Sequence, residues 1–182
     1  MEEFDPKEFV NKQVEEIKRA FGSERSLIAV SGGVDSTTCA ALIHRAIGEN
    51  LLCVTLDDAF MRDGEPERVA QLLSQAPLNL PLKVLKVQQR FLKELKGLCD
   101  AEEKRKKFRE TFYKTLSETA EKEGCRFLVQ GTIHADIVET TRGVKTQHNV
   151  LSQIGITPTE HYGFQVIEPV ASLYKEQVRK VA

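Results

Sequence analysis

Residues 26–47 read as a buried strand, a glycine turn and a buried helix in immediate succession. SLIAV (26–30) is short, apolar and partly β-branched between turn formers, the pattern of a strand covered on both faces. TCAALIHRAI (38–47) is apolar over a helical length and is stopped by Gly48. Between them lies Ser31-Gly32-Gly33-Val34-Asp35-Ser36-Thr37. A strand feeding a helix through so tight a turn is the opening of a parallel β–α unit.

The pattern recurs along the chain. LLCVTL (51–56), LKVLKV (82–87) and RFLVQ (126–130) repeat the strand signature, and FQVIEPV (164–170) predicts a fifth strand. Helical periodicity falls on 7–21, 64–76, 89–97 and 101–123, with a short helix closing GTIHADIVET (131–140) and a last one in SLYKEQVRKVA (172–182). Residues 142–163 carry little periodicity and predict a long loop. The expectation is an α/β fold: an open, parallel five-stranded, Rossmann-like sheet with helices on both faces. With 182 residues and no linker, it is expected to be one domain over 1–182, with an N-terminal helix in 1–24 and the core in 25–182. Ligands of such sheets bind beyond the carboxyl ends of the strands, which directs attention to the residues after 30, 56 and 130.

The turn after residue 30 carries the sharpest chemistry. Two glycines let the backbone bend tightly and approach an anion, and the helix start presents unpaired N–H groups and a positive dipole end. Ser31, Ser36 and Thr37 add hydroxyls. No Lys follows the glycines, so this is not a Walker loop, and GxGxxG is absent. Asp35 would repel a phosphate chain unless a divalent cation intervened, and Mg²⁺ resolves that conflict. The plainer alternative is a strand-to-helix turn whose Asp and Ser cap the helix.

Composition narrows the partners. Lys+Arg number 26 against Asp+Glu 27, a net charge of -1, which gives no bulk argument for binding DNA. No run approaches the roughly 18 apolar residues of a membrane helix, and MEEFDPKEFVNK lacks signal-peptide character, so a cytoplasmic protein is expected. The four cysteines, Cys39, Cys53, Cys99 and Cys125, form no CxxC pair and read as small core residues.

SGGVDS resembles the signature of the ATP pyrophosphatases, the PP-loop family, which cleave ATP to AMP and pyrophosphate while adenylating an acceptor oxygen. Further segments resemble one branch, the ATP pyrophosphatase subunit of GMP synthetase in its archaeal two-subunit form: LLCVTLDDAFMRDGEPERV, RFLKELKGLCDAEEKRKKF, FLVQGTIHADIVET, VKTQHNV and VIEPVASLYKEQVRKVA. The resemblance covers nearly all of the chain. It implies an adenine-nucleotide α-hydrolase-like fold, ATP and Mg²⁺ as cofactors, xanthosine monophosphate as the small-molecule nucleotide acceptor, and ammonia from a separate glutamine amidotransferase (glutaminase) subunit. It also implies a dimerisation domain beyond residue 182, absent from this sequence, and with it a homodimer. Four departures stand out: Asp58 and Ala59 where the family has a polar residue and Gly, Ala135 for Pro, and Gln147 for the first His of a His-His pair. They keep open a paralogue adenylating another acceptor, such as a tRNA or a small molecule, and a non-catalytic nucleotide-binding subunit.

The resemblance assigns roles by position. Ser31, Gly32, Gly33, Val34, Asp35, Ser36 and Thr37 hold the phosphates, and Leu56 contacts adenine or is simply core. Gly131 and Thr132 lie beside the first turn across the sheet. Asp136 completes the Mg²⁺ site with Asp35 or caps a helix. Within the basic run 104–107, Arg105 faces the acidic nucleotide substrate, the alternative being a solvated face. In the long loop, Lys145 joins Asp35 as a catalytic residue and His148 contacts the acceptor.

Overall fold

Helix α1 (Pro6–Phe21) starts where the sequence supplies a cap: the Asp5 carboxylate accepts from the N–H groups of Lys7 (2.8 Å) and Glu8, and Pro6 takes the first position. The computed structural model, which describes residues 4–141, 151 and 157–182, continues through β1 (Arg25–Ala29), α2 (Val34–Ile47), β2 (Leu51–Asp57), α3 (Glu65–Leu73) and β3 (Leu82–Lys86). Then follow α4 (Gln88–Leu95), α5 (Ala101–Glu123), β4 (Cys125–Val129), α6 (His134–Thr141), α7 (Pro158–Tyr162), β5 (Gln165–Ile167) and α8 (Lys175–Val181). The five strands form one sheet in the order β3-β2-β1-β4-β5, every pairing parallel.

Alternation along the strands divides the core in two. Ile28, Cys53, Phe127 and Val129 pack with Ile17 and Phe21 of α1, Cys39 and Ile43 of α2, and Val178 of α8. Their neighbours Leu27, Leu52, Val54 and Leu128 face Phe91 of α4 and Tyr113, Leu116 and Ala120 of α5. Each strand is apolar on both sides because each side meets a helix layer.

Differences from the sequence reading lie at the ends of elements. Helix α2 begins at Val34, so the second half of the glycine turn is already helix. Strand β5 stops at Ile167, two residues before Pro169, which has no N–H to donate to a ladder. Part of the expected 142–163 loop is the five-residue helix α7, opened by Pro158 at its first position. Among the described residues no helix is long and apolar enough to cross a membrane.

The connectivity positions the site. From β1 the chain steps to β2 and β3 on one side, then returns to place β4 and β5 on the other. The segments leaving the carboxyl ends of β1 and β4, where the strand order reverses, therefore come side by side and edge a crevice.

Candidate functional site

The turn after β1 is shaped by its glycines. Gly32 holds φ +80, and a Cβ there would lie 2.8 Å from a Val69 methyl on α3. Gly33 takes the N-cap position of α2 with no side-chain cap, leaving the first helical N–H groups for an incoming anion. The Ser36 hydroxyl folds back on the turn, donating to the Gly33 carbonyl (3.1 Å) and lying 3.4 Å from Ser31 Oγ.

Beside this turn, Gly131 follows β4 and is pressed against the start of α2. A Cβ at 131 would meet Ser36 N at 2.9 Å and Asp35 C at 3.1 Å. Both contacts are backbone, so only a glycine allows the two segments to touch. Thr132, fully buried, donates its hydroxyl to Glu168 Oε1 at 2.6 Å. Burial, reinforced by the charge of Asp136, pushes the Glu168 carboxyl above the ordinary glutamate range, and the Thr132 hydrogen bond partly offsets this.

Asp35 sits in the first turn of α2. Its Oδ2 accepts from Lys175 Nζ, the first residue of α8, at 2.6 Å, while its Oδ1 is buried with no partner among the described residues. The burial that stops Cys39 from ionising, helped by the negative charges of Asp35 and Glu168, marks this as an electronegative corner. Asp136 Oδ2 accepts from the Ile133 N–H at 3.0 Å, the cap geometry that the sequence left as an alternative. Among the described residues no group of three or more His, Cys, Asp or Glu could hold a metal by itself. A cation here would rest on Asp35, with Asp136 and phosphate oxygens.

These elements edge a cleft of about 1310 Å³. Ser31, Gly33, Asp35, Ser36, Leu56, Gly131, Asp136 and Arg105 line it. Gly32, Val34 and Thr37 instead line a smaller cavity of about 390 Å³ beside α2. The Thr37 hydroxyl is buried there without a described partner, so its side chain is not on the cleft side of the turn. Arg105 is exposed and ion-paired with Glu102 one turn earlier. Lys145 and His148 lie outside the described residues. Asp57 is occupied locally: its side chain accepts from Gln88 and its carbonyl from the Val87 N–H.

Four features escape sequence reasoning. Lys175 reaches Asp35 from 140 positions away. Glu168 sits under Thr132, Arg109 lines the cleft from α5, and Phe60, Phe108 and Phe112 form its aromatic wall. Lys175 and Glu168 both fall in VIEPVASLYKEQVRKVA, a segment that carries the family resemblance but in which the sequence reading assigned no role to either residue. Ala59 holds φ +73, a left-handed conformation that favours glycine, beside the Asp58 carboxylate that accepts from Phe60 N–H at 2.9 Å.

Comparison with known proteins agrees with this layout. Over 179 residues, 98% of this chain, it is 49% identical to a subunit of glutamine-hydrolyzing GMP synthase from Methanopyrus kandleri, 55% of which is covered. The protein of the same name from Sulfurisphaera tokodaii is 46% identical, with 47% of its length covered. The chain thus spans about half the length of the curated relatives it matches. Among solved structures, the NH3-dependent NAD synthetase of Campylobacter jejuni superposes with a TM-score of 0.71 at 19% identity, covering 99% of this chain and 73% of that one. The NMN synthetase of Francisella tularensis gives 0.72 at 18%, covering 98% and 70%. These two establish the adenine-nucleotide α-hydrolase-like fold. Residues 6–182 match the family described as the PP-loop domain, and the chain belongs to that family.

Proposed function

We propose that this chain is the ATP pyrophosphatase part of a GMP synthetase. It adenylates xanthosine monophosphate with release of pyrophosphate, and ammonia from a glutaminase subunit then displaces AMP to give GMP. The observation that carries the reading is the uncapped start of α2, set between two glycine segments with Asp35 turned toward the cleft. That is a phosphate cradle with a cation ligand built in. The acceptor and the partner rest on the names of the half-matching relatives.

The chemistry asks little of side chains as acids or bases. Attack of the acceptor oxygen on the α-phosphorus breaks the bond to the β-phosphoryl bridge, and the electron pair leaves on pyrophosphate. The N–H groups at the head of α2, with the Ser31 and Ser36 hydroxyls, meet that charge in place. Lys175 supplies the ammonium that the turn itself lacks. It is tethered at the head of α2 by Asp35 Oδ2 at 2.6 Å. Asp35 Oδ1, without a partner among the described residues, suits Mg²⁺, which held there with Asp136 would neutralise the phosphoryl oxygens. Leu56, buried at the end of β2, offers the adenine an apolar seat.

The test is pyrophosphate release from ATP·Mg²⁺ and ammonium, with and without xanthosine monophosphate. Stimulation with GMP formed is the expected result. AMP formation that xanthosine monophosphate does not stimulate would assign a different acceptor, and ATP binding with no cleavage would assign a non-catalytic role.

A further inference from the structure

Two carboxylates stand at the carboxyl end of β2, and their surroundings differ. Asp57 turns to Gln88 and is used locally. Asp58 is 9% exposed and lines the cleft, and no Lys, Arg or His among the described residues pairs with it. Its Oδ1 accepts from the Phe60 N–H at 2.9 Å, while Oδ2 has no partner among the described residues. Unlike Asp35 Oδ1, this Oδ2 is not sealed in and opens to the cleft. A carboxylate so deeply buried without a cation is costly, and a donor that arrives with a ligand removes that cost.

The position of Asp58 says which donor. Leu56 and Asp58, two residues apart, both line the cleft, as strand alternation requires, and Asp57 between them points elsewhere. Leu56 is the seat of the base, and the phosphate cradle starts at Ser31, past the neighbouring strand β1. A nucleotide spanning these two places brings its sugar to Asp58. Ribose hydroxyls donate, a carboxylate only accepts, and the bond between them is charge-assisted. A phosphate is turned away from the same spot by like charge. In dinucleotide-binding sheets an acidic side chain about 20 residues beyond the glycine turn takes a ribose 2′-hydroxyl in this way. The family resemblance gives Asp58 no role, since this is one of the positions where the chain departs from the family pattern.

We infer that Asp58 is a specificity-determining residue that selects ribonucleotides, its Oδ2 accepting from the 2′-hydroxyl of the nucleotide whose base rests on Leu56. The inference rests on the pyrophosphatase reading and adds to it a sugar contact peculiar to this chain.

The experiment is calorimetric titration of the full chain, with Mg²⁺, by ATP, 2′-deoxy-ATP and purine riboside triphosphate, which lacks the 6-amino group. The wild type binds 2′-deoxy-ATP about 10- to 100-fold more weakly than ATP, the loss expected for a hydrogen bond to a charged group. Asp58→Asn keeps the oxygen that the Phe60 N–H needs and removes the charge. In this variant ATP and purine riboside triphosphate weaken most of the way to 2′-deoxy-ATP, which keeps its wild-type affinity. That retained affinity shows that the variant is folded and its phosphate cradle intact. Equal wild-type affinities for ATP and 2′-deoxy-ATP, or a preference that survives undiminished in Asp58→Asn, overturn the inference alone. So does a loss in Asp58→Asn that spares purine riboside triphosphate, which assigns the carboxylate to the adenine amino group. A wild type that binds none of the three triphosphates overturns the pyrophosphatase reading and this inference with it.

Discussion

Single Cβ atoms decide two turns at the cleft, in opposite directions. At Gly131 a methyl group would push into the backbone of Asp35 and Ser36, so Gly131→Ala is expected to cost about 1–3 kcal/mol of stability. It should also weaken ATP binding by about tenfold or more through loss of the head of α2. Melting curves and ATP titration read the two effects. At Ala59, φ +73 costs about 1–2 kcal/mol for a side chain, less the entropy a glycine loses on ordering. Ala59→Gly is therefore expected to raise stability by up to about 1 kcal/mol, and a lower melting temperature would contradict it. Glu168 predicts a pH dependence. Its pKa is raised in the folded state, so the folded protein holds that proton more tightly than the unfolded chain. The stability this provides is complete below the ordinary glutamate range and lost as pH rises through the raised pKa. Glu168→Gln should flatten that part of the profile of melting temperature against pH, and an unchanged slope would count against the burial argument. Asp35 stood out in the sequence as a carboxylate among glycines and hydroxyls in a strand-to-helix turn, and it lines the cleft. Its Lys175 partner did not stand out, because no local pattern announces a contact across 140 residues.

At the level of elements, α5 carries most of the cleft's distal wall and is held by its ends. Asp100 caps it, accepting from the Glu103 N–H at 2.9 Å, and Gly124 closes it in the left-handed conformation at φ +67. Asp100→Ala is expected to cost about 0.5–2 kcal/mol while leaving ATP affinity intact, since Asp100 does not line the cleft. Denaturant unfolding beside ATP titration checks both halves. The central strands β1, β2 and β4 were legible because each is a continuous apolar run between turn formers. Strand β5 was overextended because VIEPV reads as apolar even though Pro169 cannot join a ladder. Helix α7 was missed because five residues are too few to show a period. The glycine turn was read as a loop before a helix, whereas Val34, Asp35, Ser36 and Thr37 are the helix's own first turn. That shift sends the Thr37 side chain away from the cleft.

For the molecule as a whole, the parallel α/β class follows from alternating strands and helices, but the strand order does not. Nothing local in the sequence says that β4 returns to lie beside β1, yet that return brings Gly131 against Asp35 and opens the crevice. The match to the PP-loop family and the cleft geometry meet at this one place. The claim that it is an ATP site is tested most directly by calorimetric titration of ATP into the wild-type chain and Asp35→Ala, each with Mg²⁺ and with a chelator. The expected result is Mg²⁺-dependent binding by the wild type, weakened about tenfold or more both in the variant and by the chelator. Equal ATP affinity in all four titrations would contradict the assignment of the cleft.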